Sequence, residues 1–153
     1  MINFSLTKHI RRGYQPTKAI IAKWLKKSLI NSYKTVFIEI SIVDITTSQK
    51  LNQQYRNKNY PTNIITLEYA NTRESFSMLS GELILCDDII SKEAKEHNKT
   101  IFDHYAHLII HGMLHLQGLD HISDDDAKYM ESLEINILNQ FAIKNPYVIM
   151  ENL

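Results

Sequence analysis

The stretch Thr35–Val43, TVFIEISIV, alternates with a period of two and places Val36, Ile38, Ile40 and Ile42 on one face of a strand. Helical periodicity stands upstream of it. Gln15-Pro16-Thr17 opens a helix expected to run to about Asn31, with Ile20, Ile21, Trp24, Leu25 and Leu29 on one stripe and Lys18, Lys23, Lys26 and Lys27 largely toward solvent. Met1–Leu6 reads as a short opening strand. Downstream, Thr46 or Thr47 is expected to cap a short helix through Tyr55, and Arg56–Asn63 (RNKNYPTN) reads as a loop. Strands follow at Ile64–Tyr69 and Leu79–Cys86. Asp87 and Asp88 open a helix ending near His97, a further helix covers about Ile101–Gln117, and Ser123 starts the last one. That last helix carries Met130, Leu133, Ile137, Leu138 and Phe141 as its apolar stripe. The expected fold is α+β: one domain over residues 1–153, with about four strands in a mixed sheet and about five helices. Strand order is not written in this pattern.

The 153 residues are 44% hydrophobic and 22% charged, the balance of a folded globular chain rather than a disordered or fibrous one. A single cysteine forms no internal disulfide, and no apolar run reaches the roughly 18 residues of a membrane-spanning helix. MINFSLTKHIRRGYQ has no hydrophobic signal core, so a cytoplasmic protein without a membrane partner is expected. The net charge of zero is an average over unlike halves. Residues 1–60 hold eleven Lys/Arg against Glu39 and Asp44, nine positive charges in excess. Residues 61–153 hold six Lys/Arg against fifteen Asp/Glu, nine negative in excess. Such polarity fits a polyanion or metal partner, or two halves that simply attract one another.

Five of the seven histidines, His104, His107, His111, His115 and His121, fall within eighteen residues. One histidine on a helix is ordinarily a hydrogen-bonded surface or core residue. His111 and His115, however, stand one turn apart on one helix face, so both imidazoles can meet one metal ion. His107 shares that face, but it lies about 12 Å along the axis from His115, too far to share an ion with it. A third ligand requires the chain to turn back. Gly118 permits the left-handed conformation that ends helices, and His121 follows it. Three neutral nitrogens with an open fourth position are the ligand set of a catalytic zinc, and one cysteine excludes a cysteine-rich structural site.

The spacing His111-x-x-x-His115-x-x-Gly118-x-x-His121 equals that of the metzincin proteases, but the general-base glutamate position is Gly112. This speaks against peptide hydrolysis and leaves phosphodiester hydrolysis open. HGMLHLQGLDH, residues 111–121, resembles the H-G-x-L-H-L-x-G-y-D-H signature of the YbeY endoribonucleases, bacterial ribosomal RNA maturation factors. Leu51-Asn52-x-x-Tyr55-Arg56 is similar to the family's L-N-x-x-Y-R, and Pro61–Leu67 to its P-T-D-V-L-S-F. Gly81-Glu82-Leu83 stands where the family has G-D-I, and Cys86, Met130 and Glu134 also fit. Asn63 and Glu82 each replace an aspartate of the family pattern.

The resemblance implies a zinc ion on His111, His115 and His121, with Arg56 and His111 as the catalytic residues. A guanidinium grips a phosphate in two places and stabilises the charge that builds on it. It implies cleavage of single-stranded ribosomal RNA, including maturation of the small-subunit rRNA 3′ end, and ribosome quality control with ribosomal partners. Tyr55 and Tyr60 flank Arg56, where they are placed either to stack bases or to pack the loop. Asp120 is expected to bond a ligand histidine or to cap the turn at Gly118. Met78, Met113 and Met130 read as core. Two rival functions share the motif: a non-catalytic, metal-containing ribosome-assembly factor, and a zinc peptidase with a displaced base.

Overall fold

The computed structural model describes residues 2–72, 74–120 and 122–148. In chain order the elements are β1 (Ile2–Lys8), α1 (Lys18–Lys27), β2 (Thr35–Val43), α2 (Ile45–Arg56), β3 (Ile64–Asn71), β4 (Met78–Cys86), α3 (Asp87–Glu96), α4 (Ile101–Leu116) and α5 (Asp124–Asn139). Among the described residues these are the four strands of one mixed sheet and five helices, so the α+β expectation holds. The sheet order is β1-β2-β4-β3, with β1, β2 and β4 parallel and β3 antiparallel to β4. No described helix is long and apolar enough to cross a membrane.

The alternation of β2 decides the layering. Val36, Ile38, Ile40 and Ile42 are buried against Trp24, Leu25, Tyr105, Ile109 and Leu114 from α1 and α4. The other face is covered only at one end, where Leu51 of α2 packs on Val43, Ile65 and Ile84. Beyond that patch Phe37, Glu39 and Tyr69 remain exposed.

Several boundaries move for identifiable reasons. Strand β1 continues to Lys8 because its ladder with β2 runs on to the Lys8–Ile42 pair. Helix α1 stops at Lys27 rather than near Asn31: the Ser28 hydroxyl turns back onto the Trp24 carbonyl at 2.6 Å, and Ile30 N donates to Gln117 Oε1 at 2.9 Å. The cap of α2 is Asp44, whose carboxylate accepts from Thr47 N at 2.8 Å, rather than Thr46 or Thr47. Met78 opens β4 at the surface instead of the core, whereas Met113 and Met130 are buried as expected.

Helix α4 is the central element, with ten of its sixteen residues buried. Two glycines let it lie close on β3 and β4. A Cβ on Gly112 would come within 2.9 Å of Leu83 Cδ2, and one on Gly81 within 2.7 Å of Leu116 Cδ2 and 2.8 Å of the Leu67 carbonyl. This seat fixes the height of the α4 histidines over the sheet.

Candidate metal centre

Residues 104, 107, 111 and 115 recur at three- and four-residue intervals, so their imidazoles form one stripe along α4. Ring centroids are 6.1 Å apart between His104 and His107 and 6.3 Å between His107 and His111. Side-chain exposure rises along the stripe, from 5% at His104 through 14% at His107 to 26% at His111, and His115 is exposed. The stripe therefore opens at its C-terminal end, where a ligand can reach it.

The helix ends as its sequence predicts. Gly118 takes φ 98°, Gly118 N donates to the His115 carbonyl at 2.9 Å and Leu119 N to the Leu114 carbonyl at 3.2 Å, the paired bonds of a glycine-terminated helix. Buried Gln117 anchors this end by donating to the Ser28 carbonyl at 2.7 Å. Asp120 does not reach a histidine in the described contacts; it accepts from Ile122 N at 3.2 Å and holds the turn. His121, expected to supply the third nitrogen, lies outside the described residues.

The structure gathers a different set around His111. One ligand atom each from His107, His111 and Glu134 lie within 4.8 Å of one another, a grouping able to hold a metal ion. Glu134 comes from the apolar stripe of α5 and is 0% exposed. Its Oε1 accepts from His111 Nδ1 and its Oε2 from the Tyr147 hydroxyl, while His107 Nε2 is 3.8 Å from Oε2. Burial alone would raise the Glu134 carboxyl; the nearby His107 ring and the bonds from His111 and Tyr147 outweigh it and hold the group at about 2. Burial lowers His107. His111, Glu134 and Tyr147 line a cavity of about 220 Å³ with Ala127, Met130 and Glu131.

The donors suit a metal ion: imidazoles one turn apart at the open end, with a carboxylate bonded to the back of one ring, as histidine ligands are commonly oriented. Sequence reasoning missed Tyr147 and the grouping of His107 with Glu134. The available signal was Glu134 itself, an acid three residues before Ile137 and four before Leu138 on a buried stripe, which demands a donor.

Arg56 is not bonded to this cluster in the described contacts. It is the exposed last residue of α2, followed by Asn57 in the left-handed region at φ 56°. Among the described residues its guanidinium makes no hydrogen bond or ion pair, so no bonded network joins it to the histidines. Tyr55 and Tyr60 are 50% and 51% exposed, surface rings rather than packing residues.

A sequence profile described as endoribonuclease YbeY matches residues 5–142. The chain belongs to the YbeY family of endoribonucleases. Proteins named endoribonuclease YbeY are 43% identical in Colwellia psychrerythraea, over 87% of this chain and 88% of theirs, and 42% identical in Nitrosomonas eutropha, over 89% and 92%. One from Herminiimonas arsenicoxydans is 40% identical over 86% of this chain and 85% of its own. The fold is shared with a Thermotoga maritima protein solved in solution, with a TM-score of 0.55 at 20% identity over 99% of both chains.

Both departures from the YbeY pattern have partners. The Asn63 amide donates to Glu93 Oε1 at 3.0 Å, and His104 Nε2 lies 2.8 Å from the same oxygen. An aspartate at 63 would set two carboxylates against each other, whereas asparagine supplies a donor. Burial raises Glu93, but these bonds outweigh it and the group is lowered. Glu82 accepts from the Tyr69 hydroxyl on the open face of the sheet.

Proposed function

We propose that residues 1–153 form one metal-dependent endoribonuclease domain that cuts single-stranded ribosomal RNA in the cytoplasm. Zinc is held by His111, His115 and His121, and Arg56 grips the scissile phosphate. The observation that carries this reading is the opening of the histidine stripe: the rings are closed off at His104 and become accessible at His111 and His115. A substrate as large as RNA has access at that end. The names of the relatives, endoribonuclease YbeY, supply the reaction class.

When bound, such an ion supplies Lewis-acid chemistry, polarising a phosphoryl oxygen and acidifying a water molecule. The chain's own contribution is orientation and charge. Buried Glu134 is hydrogen-bonded to the back of the His111 ring. Arg56 offers paired N–H donors to a phosphate and neutralises charge as it accumulates. An unpaired strand is favoured because its backbone bends into a confined site, and exposed Tyr55 and Tyr60 offer faces for its bases. Small-subunit rRNA 3′-end processing and quality control on the ribosome are the setting this reading assigns, with ribosomal proteins helping to choose the target.

The test is cleavage of a single-stranded RNA oligonucleotide by metal-loaded protein, by chelator-treated protein and by His115→Ala. The first is expected to cut and the other two to fall to background. Equal cutting by all three overturns the reading.

A further inference from the structure

The His107–His111–Glu134 grouping invites the interpretation that all three hold the metal. The hydrogen bonds argue otherwise. The Glu134 carboxylate is met by His111 Nδ1 on one oxygen and by the Tyr147 hydroxyl on the other, with His107 Nε2 3.8 Å away, and a carboxylate among such groups is placed to accept. The proton in its bond to His111 therefore sits on Nδ1, and a protonated nitrogen has no lone pair for a metal. The other oxygen is taken by Tyr147, whose hydroxyl donates to Oε2. That hydroxyl also lies 3.2 Å from His107 Nε2, and with its proton committed to Glu134 it is the acceptor there. The protons thus run in one direction: His107 Nε2–H to the Tyr147 oxygen, the Tyr147 O–H to Glu134. Metal bound among the three groups would require these bonds to be broken and a satisfied, fully buried carboxylate to be rebuilt.

Tyr147 is set up for this contact from outside the helices. Its backbone N–H donates to Asn145 Oδ1 at 2.8 Å, a local turn in the segment after α5, and its ring meets His107 edge-on at 5.4 Å between centroids. The ring is 40% exposed, yet its hydroxyl reaches the buried acid, so the residue spans from the surface to the back of His111.

We infer that Glu134, clamped by Tyr147 and His107, is the positioning residue for His111: it fixes the Nδ1–H tautomer and aims the remaining nitrogen at the metal, and neither Glu134 nor His107 is a ligand. This rests on the metal reading proposed above and adds to it which nitrogen of His111 binds. A carboxylate behind a ligand histidine raises ligand basicity, and its loss typically lowers metal affinity about 10- to 100-fold.

The experiment measures zinc stoichiometry and affinity, by competition with a chromogenic chelator, for the full chain and for Glu134→Gln, Tyr147→Phe, His107→Ala and His115→Ala. Glu134→Gln is expected to keep one zinc per chain with affinity reduced about 10- to 100-fold, and Tyr147→Phe to lose less, a few-fold. His107→Ala retains one zinc, whereas His115→Ala loses it. A strongly hydrogen-bonded imidazole N–H resonance from His111, present in the proton NMR spectrum of the wild type, disappears in Glu134→Gln. Tyr147→Phe removes only one oxygen from a half-exposed ring, so it reports on the clamp even where the charge-neutral variant fails to fold. Loss of zinc from His107→Ala and Glu134→Gln with retention in His115→Ala makes the three groups the metal centre and overturns the inference. Unchanged affinity in both Glu134→Gln and Tyr147→Phe overturns it equally. A wild type that binds no zinc instead removes the metal reading itself, and the inference with it.

Discussion

Asp87 and Glu134 are both carboxylates with no exposed surface, Asp87 held by two tyrosine hydroxyls and Glu134 by one, and they differ in what else surrounds them. Asp87 follows directly after β4 and accepts from Arg12, Tyr14, Gln15 and Tyr105, which joins the segment between β1 and α1 to α3 and α4. Burial raises its carboxyl, and the four donors together outweigh burial and lower it. None of those donors is an imidazole. Glu134 is surrounded instead by two imidazoles and a tyrosine beside a cavity. Imidazoles gain and lose protons and bind metals, so the same kind of buried acid becomes a device for setting the state of a neighbour. Burial of a charge does not by itself mark a functional site. The chemistry of the donors around it does.

The largest expected effect separates the two acids. Asp87→Ala strands the buried Tyr105 hydroxyl and breaks the hub, and is expected to lower stability by about 3–5 kcal/mol in denaturant titration while leaving zinc affinity unchanged. A tenfold loss of zinc affinity in that variant would erase the contrast. Next comes Arg56→Ala. An exposed cation with no described partner contributes nothing measurable to the fold, so melting stays put while RNA cleavage falls about 100-fold, read from kcat/KM. Cleavage within twofold of wild type would remove Arg56 from the mechanism.

Gly81→Ala tests the seat of α4 on the sheet. The added methyl meets a backbone carbonyl as well as Leu116, and a cost of about 1–3 kcal/mol in thermal or denaturant unfolding is expected. Acid titration compares the hubs through their protons. Because the folded Asp87 carboxyl lies below its unfolded value of about 3.9, its contribution is complete above that pH and is lost as pH falls through the depressed folded value. Asp87→Asn should therefore flatten the acid limb of the stability curve, whereas an unchanged limb would mean the network does not stabilise the ionised form. The smallest effect concerns salt. With no net charge on the chain, two cations, Arg56 and Lys58, are expected to give a slope of log affinity for single-stranded RNA against log salt of about −1.4. Arg56→Ala should bring it to about −0.7, and a slope near zero in the wild type would end the idea of a basic patch.

Much of this molecule is legible in local sequence. The alternation in TVFIEISIV matches β2 residue for residue, because a period of two with one buried face admits no other register. Gly118 ends α4 with a positive φ where the motif required a stop, and Ser123 caps α5. What stayed hidden depends on residues far apart in the chain. Asp87 reads as a helix-start acid, and only the return of Arg12, Tyr14 and Tyr105 to it reveals a hub. Tyr147 lies thirteen residues beyond Glu134 in a segment without periodicity, so nothing local announced that it reaches the back of His111. Asp44 outcompeted two nearby threonines as cap because it is the residue on which the strand hands over to the helix.

A metal at the open end of the histidine stripe is proposed to make this chain a nuclease. The most direct test is to strip the protein of metal and follow cleavage of a single-stranded RNA while zinc is added back. Cleavage is expected to rise in proportion to zinc and level off at one equivalent per chain, with no rise in His115→Ala. Cleavage that is already complete without metal, or that rises equally in His115→Ala, contradicts the proposal.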